Sequence, residues 1–186
     1  FLNVLFIAAT TITSVAIAIM LAEISNKWVK KITQSIVILP HFMSWTIVSM
    51  LSVAILSANG VVNQLITMVG GKTIEFYNTP SVWPAILVIL KVWQGAGFGS
   101  IVYLATITGI DASIYEAAAV DGASKTQCIF KVTLPMLKNT IIMLTIMSVG
   151  KIFNGDFGMI YAMVGSNSIL YPTTDVIDTY LFRQLL

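Results

Sequence analysis

An all-α, polytopic transmembrane helical bundle is the fold this sequence predicts, on three observations: scarce charge, four long apolar runs, and no strand-like alternation within them. Of 186 residues, 57% are hydrophobic and 10% charged, whereas about a quarter are charged in an ordinary soluble domain. The mean hydropathy is +0.90, so water is not the main solvent of this chain. A hydrocarbon core about 30 Å thick takes about 20 apolar residues in helix. Four stretches qualify, 1–22, 36–57, 81–107 and 136–157, and another helix is expected to start near Asp178. Lipid offers backbone groups no hydrogen bonds and the apolar runs are continuous, so helices are expected rather than barrel strands. The chain, 1–186, reads as a single transmembrane domain.

The first run carries no charge, no positively charged start and no A-x-A cleavage pattern, so it reads as an internal start and not as a secretory signal. The second lies in a stretch free of Asp, Glu, Lys and Arg from Ile32 to Gly71, the third is interrupted by Lys91 and the fourth by Lys151. The end, Leu181 to Leu186, carries no helix-stopping signal, so the gene product is expected to continue. Orientation follows from Lys and Arg near the span ends, which concentrate on the cytoplasmic side. The connection after the first span holds Lys27, Lys30 and Lys31; that between the third and fourth holds Lys125 and Lys131, with Lys138 just inside the fourth span. The second connection has only Lys72, beside Glu75, and nothing basic follows the fourth span until Arg183. The first and third connections are therefore expected in the cytoplasm, and those at 59–79 and 158–174 outside.

Composition also excludes several functions. The formal charge of +2 is too small and too scattered for the basic footprint of a nucleic-acid binder. The single Cys128 permits no intrachain disulfide or Cys-based zinc cluster, and the lone His41, beside Pro40 at the start of the second span, has no His partner at ligand spacing; both read as structural. Gly70-Gly71-Lys72-Thr73 imitates the end of a phosphate loop, but Ile66 stands where its first glycine belongs and no helix signal follows. No Ser-His-Asp constellation can form at one membrane depth, so this chain is not expected to be an enzyme. An ion-coupled secondary transporter would show intramembrane carboxylates and repeated interrupted helices, and neither is evident in the sequence.

Between the third and fourth spans, the segment 111–135 reads as two short helices and a bend. Ser113 and Glu116 have capping-box spacing, Ala117, Ala118 and Ala119 favour helix, and Gly122 can end it in a left-handed cap. Ser124 and Gln127 repeat the capping spacing, and Pro135 is expected to limit or kink the second helix. Three alanines let another protein approach the backbone, with Glu116 and Asp121 as anchors. By physics alone, an ordinary surface hairpin explains them equally well.

The segments Glu116-Ala117-Ala118, Asp121-Gly122-Ala123 and Leu134-Pro135 resemble the EAA signature of ABC-importer permeases, in the form found in the carbohydrate (maltose-type) family. Ile38-Leu39-Pro40, Gly60 to Asn63, Trp93 to Gly97 and Tyr103-Leu104-Ala105 resemble further landmarks of that family, so the likeness covers nearly the whole chain. Asp175 to Arg183 resembles the branch that imports complex oligosaccharides and polysaccharide fragments, common in Gram-positive bacteria. The resemblance implies a type I ABC-importer permease core in the bacterial cytoplasmic membrane. It implies oligosaccharide import by alternating access, with Tyr115, Glu116, Ala117, Ala118, Asp121, Gly122, Leu134 and Pro135 coupling the chain to an ATPase. Implied partners are a second homologous permease, a cytoplasmic ATPase dimer that binds ATP and Mg, and an extracellular solute-binding protein. This chain itself is expected to hold no cofactor or metal. The family usually has six spans, so its first and most of its last are expected outside the residues given. A permease for a non-sugar solute is the alternative.

Lys91 stands about 15 Å into the third span at 1.5 Å per residue, and Lys151 is expected similarly deep in the fourth. A charge there costs at least about 2.5 kcal/mol, so it normally faces a cavity or a partner. These lysines either snorkel or pair, Asp156 being one partner, or they meet cargo. In related permeases the helices flanking the bracket line the sugar cavity. That implies Lys91, Gln94, Phe98 and Lys151 as path residues and a uronate-containing oligosaccharide as cargo. Gly95 and Gly99, at G-x-x-x-G spacing and with Gly97 between them, predict a close helix contact.

Overall fold

The computed structural model describes residues 1–152 and 155–185, and every regular element among them is helical. Four segments are long and apolar enough to cross a membrane: Leu2–Glu23, Trp45–Met68, Pro80–Thr108 and Lys125–Val149. The chain gathers into two compact units, Phe1–Leu5 with Phe42–Leu90 and Lys151–Leu186, and Phe6–His41 with Lys91–Gly150. The helices α1 (Leu2–Glu23) and α5 (Trp83–Thr108) contribute residues to both.

In the second unit, α1 and α5 meet through Val15, Ala18 and Leu21 on one side and Tyr103, Leu104 and Ile107 on the other, closed by the fully buried Leu137. Small residues set the spacing. A Cβ on Gly95 would stand 3.8 Å from Thr10 Cγ2 and one on Gly99 2.7 Å from Ser14 Oγ. The tightest approach is at Gly97, outside the G-x-x-x-G pair, where a Cβ would lie 2.0 Å from the carbonyl oxygen of Val37. Val37 belongs to α2 (Lys27–Ile38), whose start is capped by Asn26 Oδ1 accepting from the N–H groups of Trp28 and Val29.

The second span differs from the expected 36–57. Residues up to Ile38 belong to α2, a 3-10 turn occupies Leu39–Phe42, and α3 runs from Trp45 to Leu56. Pro40 has no N–H to donate, and Ser44 starts a new helix by accepting from Ile47 N–H at 3.3 Å. Local chemistry cuts a run that hydropathy alone leaves whole.

In the first unit α3 packs against α9 (Phe157–Val164) and α4 (Val61–Met68). Asn63, 1% exposed, explains the Gly60-to-Asn63 landmark: its amide donates to the Ser57 and Ile74 carbonyls and accepts from Ile74 N–H, tying down the loop after α4. Gly70, at φ +79°, ends α4: its N–H donates to Thr67 O and that of Gly71 to Ile66 O. The phosphate-loop look-alike is thus a helix C-cap. Trp83 is fully buried and donates from Nε1 to Phe76 O at 2.8 Å. The stretch expected as a simple outer connection, 158–174, contains α9, capped by Asp156 and burying Met159, Ile160, Met163 and Val164.

After α10 (Tyr171–Thr174), Asp175 takes hydrogen bonds from Arg183 and Thr179, and Arg183 lies over the Tyr171 ring. Burial alone pushes the Asp175 carboxyl up, but the bonds from Arg183 and Thr179 and the guanidinium charge outweigh it and hold the carboxyl below its usual range. Near the expected start at Asp178 lies α11, Ile177–Gln184.

Candidate functional site

The bracket begins at Asp111. Its Oδ1 accepts from Ser113 N–H at 2.9 Å and caps α6, Ala112–Val120. The expected cap at Ser113 is therefore displaced by two residues, because the Asp111 carboxylate has already taken the Ser113 N–H. That backbone bond, helped by the Ser113 hydroxyl, holds the Asp111 carboxyl below the usual range. At the other end Gly122, at φ +75°, donates to Ala119 O at 3.0 Å, and Ala123 N–H reaches Ala118 O at 2.9 Å. This is a Schellman cap, which satisfies the last carbonyls and turns the chain sharply.

Ser124 and Gln127 form the expected capping box, with bonds of 2.8 and 3.3 Å, and start α7, Lys125–Cys128. Pro135 does not end the second arm. A π turn, Ile129–Thr133, joins α7 to α8, Leu134–Val149, and Pro135 sits in the first turn of α8. The wider i→i+5 turn gives the pyrrolidine ring room beside the preceding carbonyls, so the helix passes through where a regular one would break.

The two arms are fastened together. Tyr115 Oη lies 3.0 Å from Thr133 Oγ1, and Thr133, 5% exposed within the π turn, donates to Cys128 O at 3.4 Å. Leu134, half-buried, packs on the Leu137 cluster. Thus Tyr115 and Leu134 face inward and hold the bracket. Glu116, Ala117, Asp121, Gly122 and Pro135 face outward, and Ala118, half-buried, lines a groove with Asp121, Gly122, Gln127 and Lys131. Two exposed apolar residues that the sequence reading passes over stand on the same bracket, Val120 at 88% and Phe130 at 65% exposure. Their signal was a hydrophobic side chain inside a polar connection.

Lys91, Gln94 and Phe98 fall on one face of α5 by their i, i+3, i+7 spacing, Lys91 and Gln94 half-buried and Phe98 exposed. To this face the structure adds His41, whose ring stacks on Phe98 with centroids 4.1 Å apart and planes 6° from parallel. Lys151 belongs to the other unit, and α8, expected over 136–157, stops at Val149 with Gly150 as its cap, so Lys151 stands past the helix and not deep within it. Residues 153 and 154 of that expected span lie outside the described residues. Among the described residues no group of three or more His, Cys, Asp or Glu gathers to hold a metal ion.

Four helical segments long and apolar enough to cross a membrane, with a doubly capped bracket between the last two, fit the membrane component of a transporter. The chain belongs to the family described as binding-protein-dependent transport system inner membrane component, which it matches over residues 14–185. It is 33% identical over 169 residues to the polygalacturonan/rhamnogalacturonan transport system permease protein YteP of Bacillus subtilis (strain 168), covering 90% of this chain and 52% of that protein. The chain thus spans about half the length of that curated relative. Two solved structures superpose closely. One is a bacterial alginate ABC transporter in complex with an alginate pentasaccharide-bound periplasmic protein, at TM-score 0.91 and 37% identity over 98% of this chain and 63% of that one. The other is a bacterial ABC transporter involved in import of the acidic polysaccharide alginate, at TM-score 0.90 and 35% identity over 100% of this chain and 66% of that one. The family is one of transport components, not enzymes.

Proposed function

We propose that this chain is the transmembrane permease subunit of an ABC importer that moves oligosaccharides into the cytoplasm by alternating access, driven by a separate ATPase. The bracket carries the reading: its outward face presents Glu116, Asp121 and the small residues Ala117 and Gly122, while capped ends and the Tyr115–Thr133 bond keep it stiff. Such a part can transmit a push without absorbing it. It docks on a cytoplasmic ATPase dimer that binds ATP and Mg, with Val120 and Phe130 as further apolar contacts. A second, homologous permease completes the path, and an extracellular solute-binding protein delivers the sugar. The cytoplasmic membrane of a bacterium is the setting.

The cargo we propose is a uronate-containing oligosaccharide. Support comes from Lys91 on the α5 face, and from the acidic polymers named for YteP and for both alginate transporters. Gln94 and Phe98 accompany Lys91 in the path, and Lys151 is a candidate at the end of α8.

The test is ATP hydrolysis by the reconstituted full complex, titrated with neutral and uronate oligosaccharides delivered by the binding protein. Uronates are expected to stimulate it, and in Glu116→Lys hydrolysis is expected to lose its response to sugar and uptake to cease. Normal sugar-stimulated hydrolysis in Glu116→Lys would count against the coupling role. Stimulation by neutral sugars alone would keep the importer and discard the acidic cargo.

A further inference from the structure

Behind the bracket, the second unit holds an open cavity of about 210 Å³, room for about seven water molecules at ~30 Å³ each. It lies where two membrane-length helices end, α1 at Glu23 and α5 at Thr108. Lys30 of α2, Tyr115 of α6 and Thr133 of the π turn complete its polar wall. Ile19 and Ile107 line it from within the spans. The wall thus changes from apolar to polar at the span ends, as the edge of a bilayer does.

The hydroxyl protons of that wall are already in use. Thr108 Oγ1 donates to Ala105 O at 2.9 Å and Thr133 Oγ1 to Cys128 O at 3.4 Å. A hydroxyl has one proton, so the 3.0 Å contact between Tyr115 and Thr133 takes its proton from Tyr115. Three oxygens are left with lone pairs only, and an ionised carboxylate such as Glu23 is an acceptor too. The one donor beside them is the Lys30 ammonium. Glu23 is exposed and Lys30 half-buried, and among the described residues neither side chain makes a hydrogen bond or an ion pair.

A wall of acceptors with one separate cation fits a ligand that carries both N–H donors and an anionic group. An ethanolamine phosphate headgroup has both, a primary ammonium and a phosphate. A choline headgroup has the same charges and no N–H. Pockets with a basic residue between transmembrane helices are common seats for lipid headgroups, and the apolar part of this wall is placed to meet the glycerol and acyl portions.

We propose that this cavity binds a phospholipid with a primary-ammonium headgroup, its ammonium toward Glu23 and the hydroxyl oxygens and its phosphate toward Lys30. The headgroup touches the Tyr115–Thr133 brace and so ties the bracket to the leaflet beside it. The site is separate from the solute path and does not depend on the identity of the cargo.

The experiment is lipid retention by the delipidated full complex in detergent, read by native mass spectrometry after incubation with phosphatidylethanolamine or phosphatidylcholine. Wild type is expected to retain phosphatidylethanolamine about tenfold better, the order of one charge-assisted hydrogen bond, and Glu23→Gln to lose that preference. Lys30→Gln is expected to lower retention of phosphatidylethanolamine about tenfold through the lost phosphate contact. Lys31→Gln, exposed and outside the cavity wall, is expected to leave it unchanged. Equal retention of the two lipids by wild type would overturn the site, and that comparison needs no variant to assemble. A preference that survives in Glu23→Gln would place the lipid elsewhere and overturn the assignment. Displacement of the lipid by an equal concentration of soluble phosphoethanolamine would make the occupant a free zwitterion and overturn the lipid. Retention is read without sugar or ATP, so a failure of oligosaccharide import would leave this site standing.

Discussion

Gly97 and Gly95 stand two positions apart on one helix, yet a methyl group means different things at each. At Gly97 the added carbon would meet the Val37 carbonyl, a backbone atom that cannot swing aside, at 2.0 Å; at Gly95 it would find Thr10 Cγ2 at an ordinary 3.8 Å. Gly97→Ala is therefore expected to destabilise the protein by about 1–3 kcal/mol, the usual cost of overpacking, and Gly95→Ala to change little. Thermal unfolding of the two variants in detergent checks this, and equal midpoints would refute the seam. The G-x-x-x-G spacing, with Gly97 inside it, pointed to the right stretch of α5 but did not rank its three glycines, of which Gly97 makes the closest approach. Spacing along one helix tells which residues share a face, but not where a second helix, here α2, crosses it.

At the scale of elements, the bracket was legible because its signals are local. Gly122 and the Ser124–Gln127 pair act on backbone groups within a few residues, and the structure has both caps where their spacing puts them. What was not legible is the join between the arms, since Tyr115 and Thr133 are 18 residues apart and nothing in either residue type announces the other. The break of the second span at Pro40 and the end of α8 at Val149 were hidden for a related reason. Hydropathy integrates over about 20 residues and passes over a turn of four. Tyr115→Phe removes one hydrogen bond and little else. It is expected to cost about 0.5–1.5 kcal/mol and to lower the sugar moved per ATP hydrolysed by letting the arms shift against each other. An unchanged ratio of transport to hydrolysis in the full complex would mean that the bond serves folding only.

For the whole molecule, the placement of lysines fixes an expected orientation: the bracket inside the cell, and the loop around Lys72 outside it. In a Cys128→Ser background, a single cysteine replacing Lys125 is expected to react with a membrane-impermeant thiol reagent only in inside-out vesicles, and one replacing Lys72 only in intact cells. The reverse pattern would invert the topology and remove the bracket from reach of any ATPase. The fold class was readable from composition because the bilayer leaves so few solutions, and α9, inside a stretch that reads as a loop, was not, because eight residues are too few to register as a span. The Tyr115–Thr133 join also bears on how the complex answers to ionic strength. It unites two hydroxyls with no formal charge, and dissolved ions weaken interactions between exposed charges. In the proposed docking, raising the salt concentration therefore weakens what Glu116 and Asp121 contribute while leaving the internal brace little changed. A coupling ratio that falls with salt would then point to charged contacts between subunits and away from the internal brace.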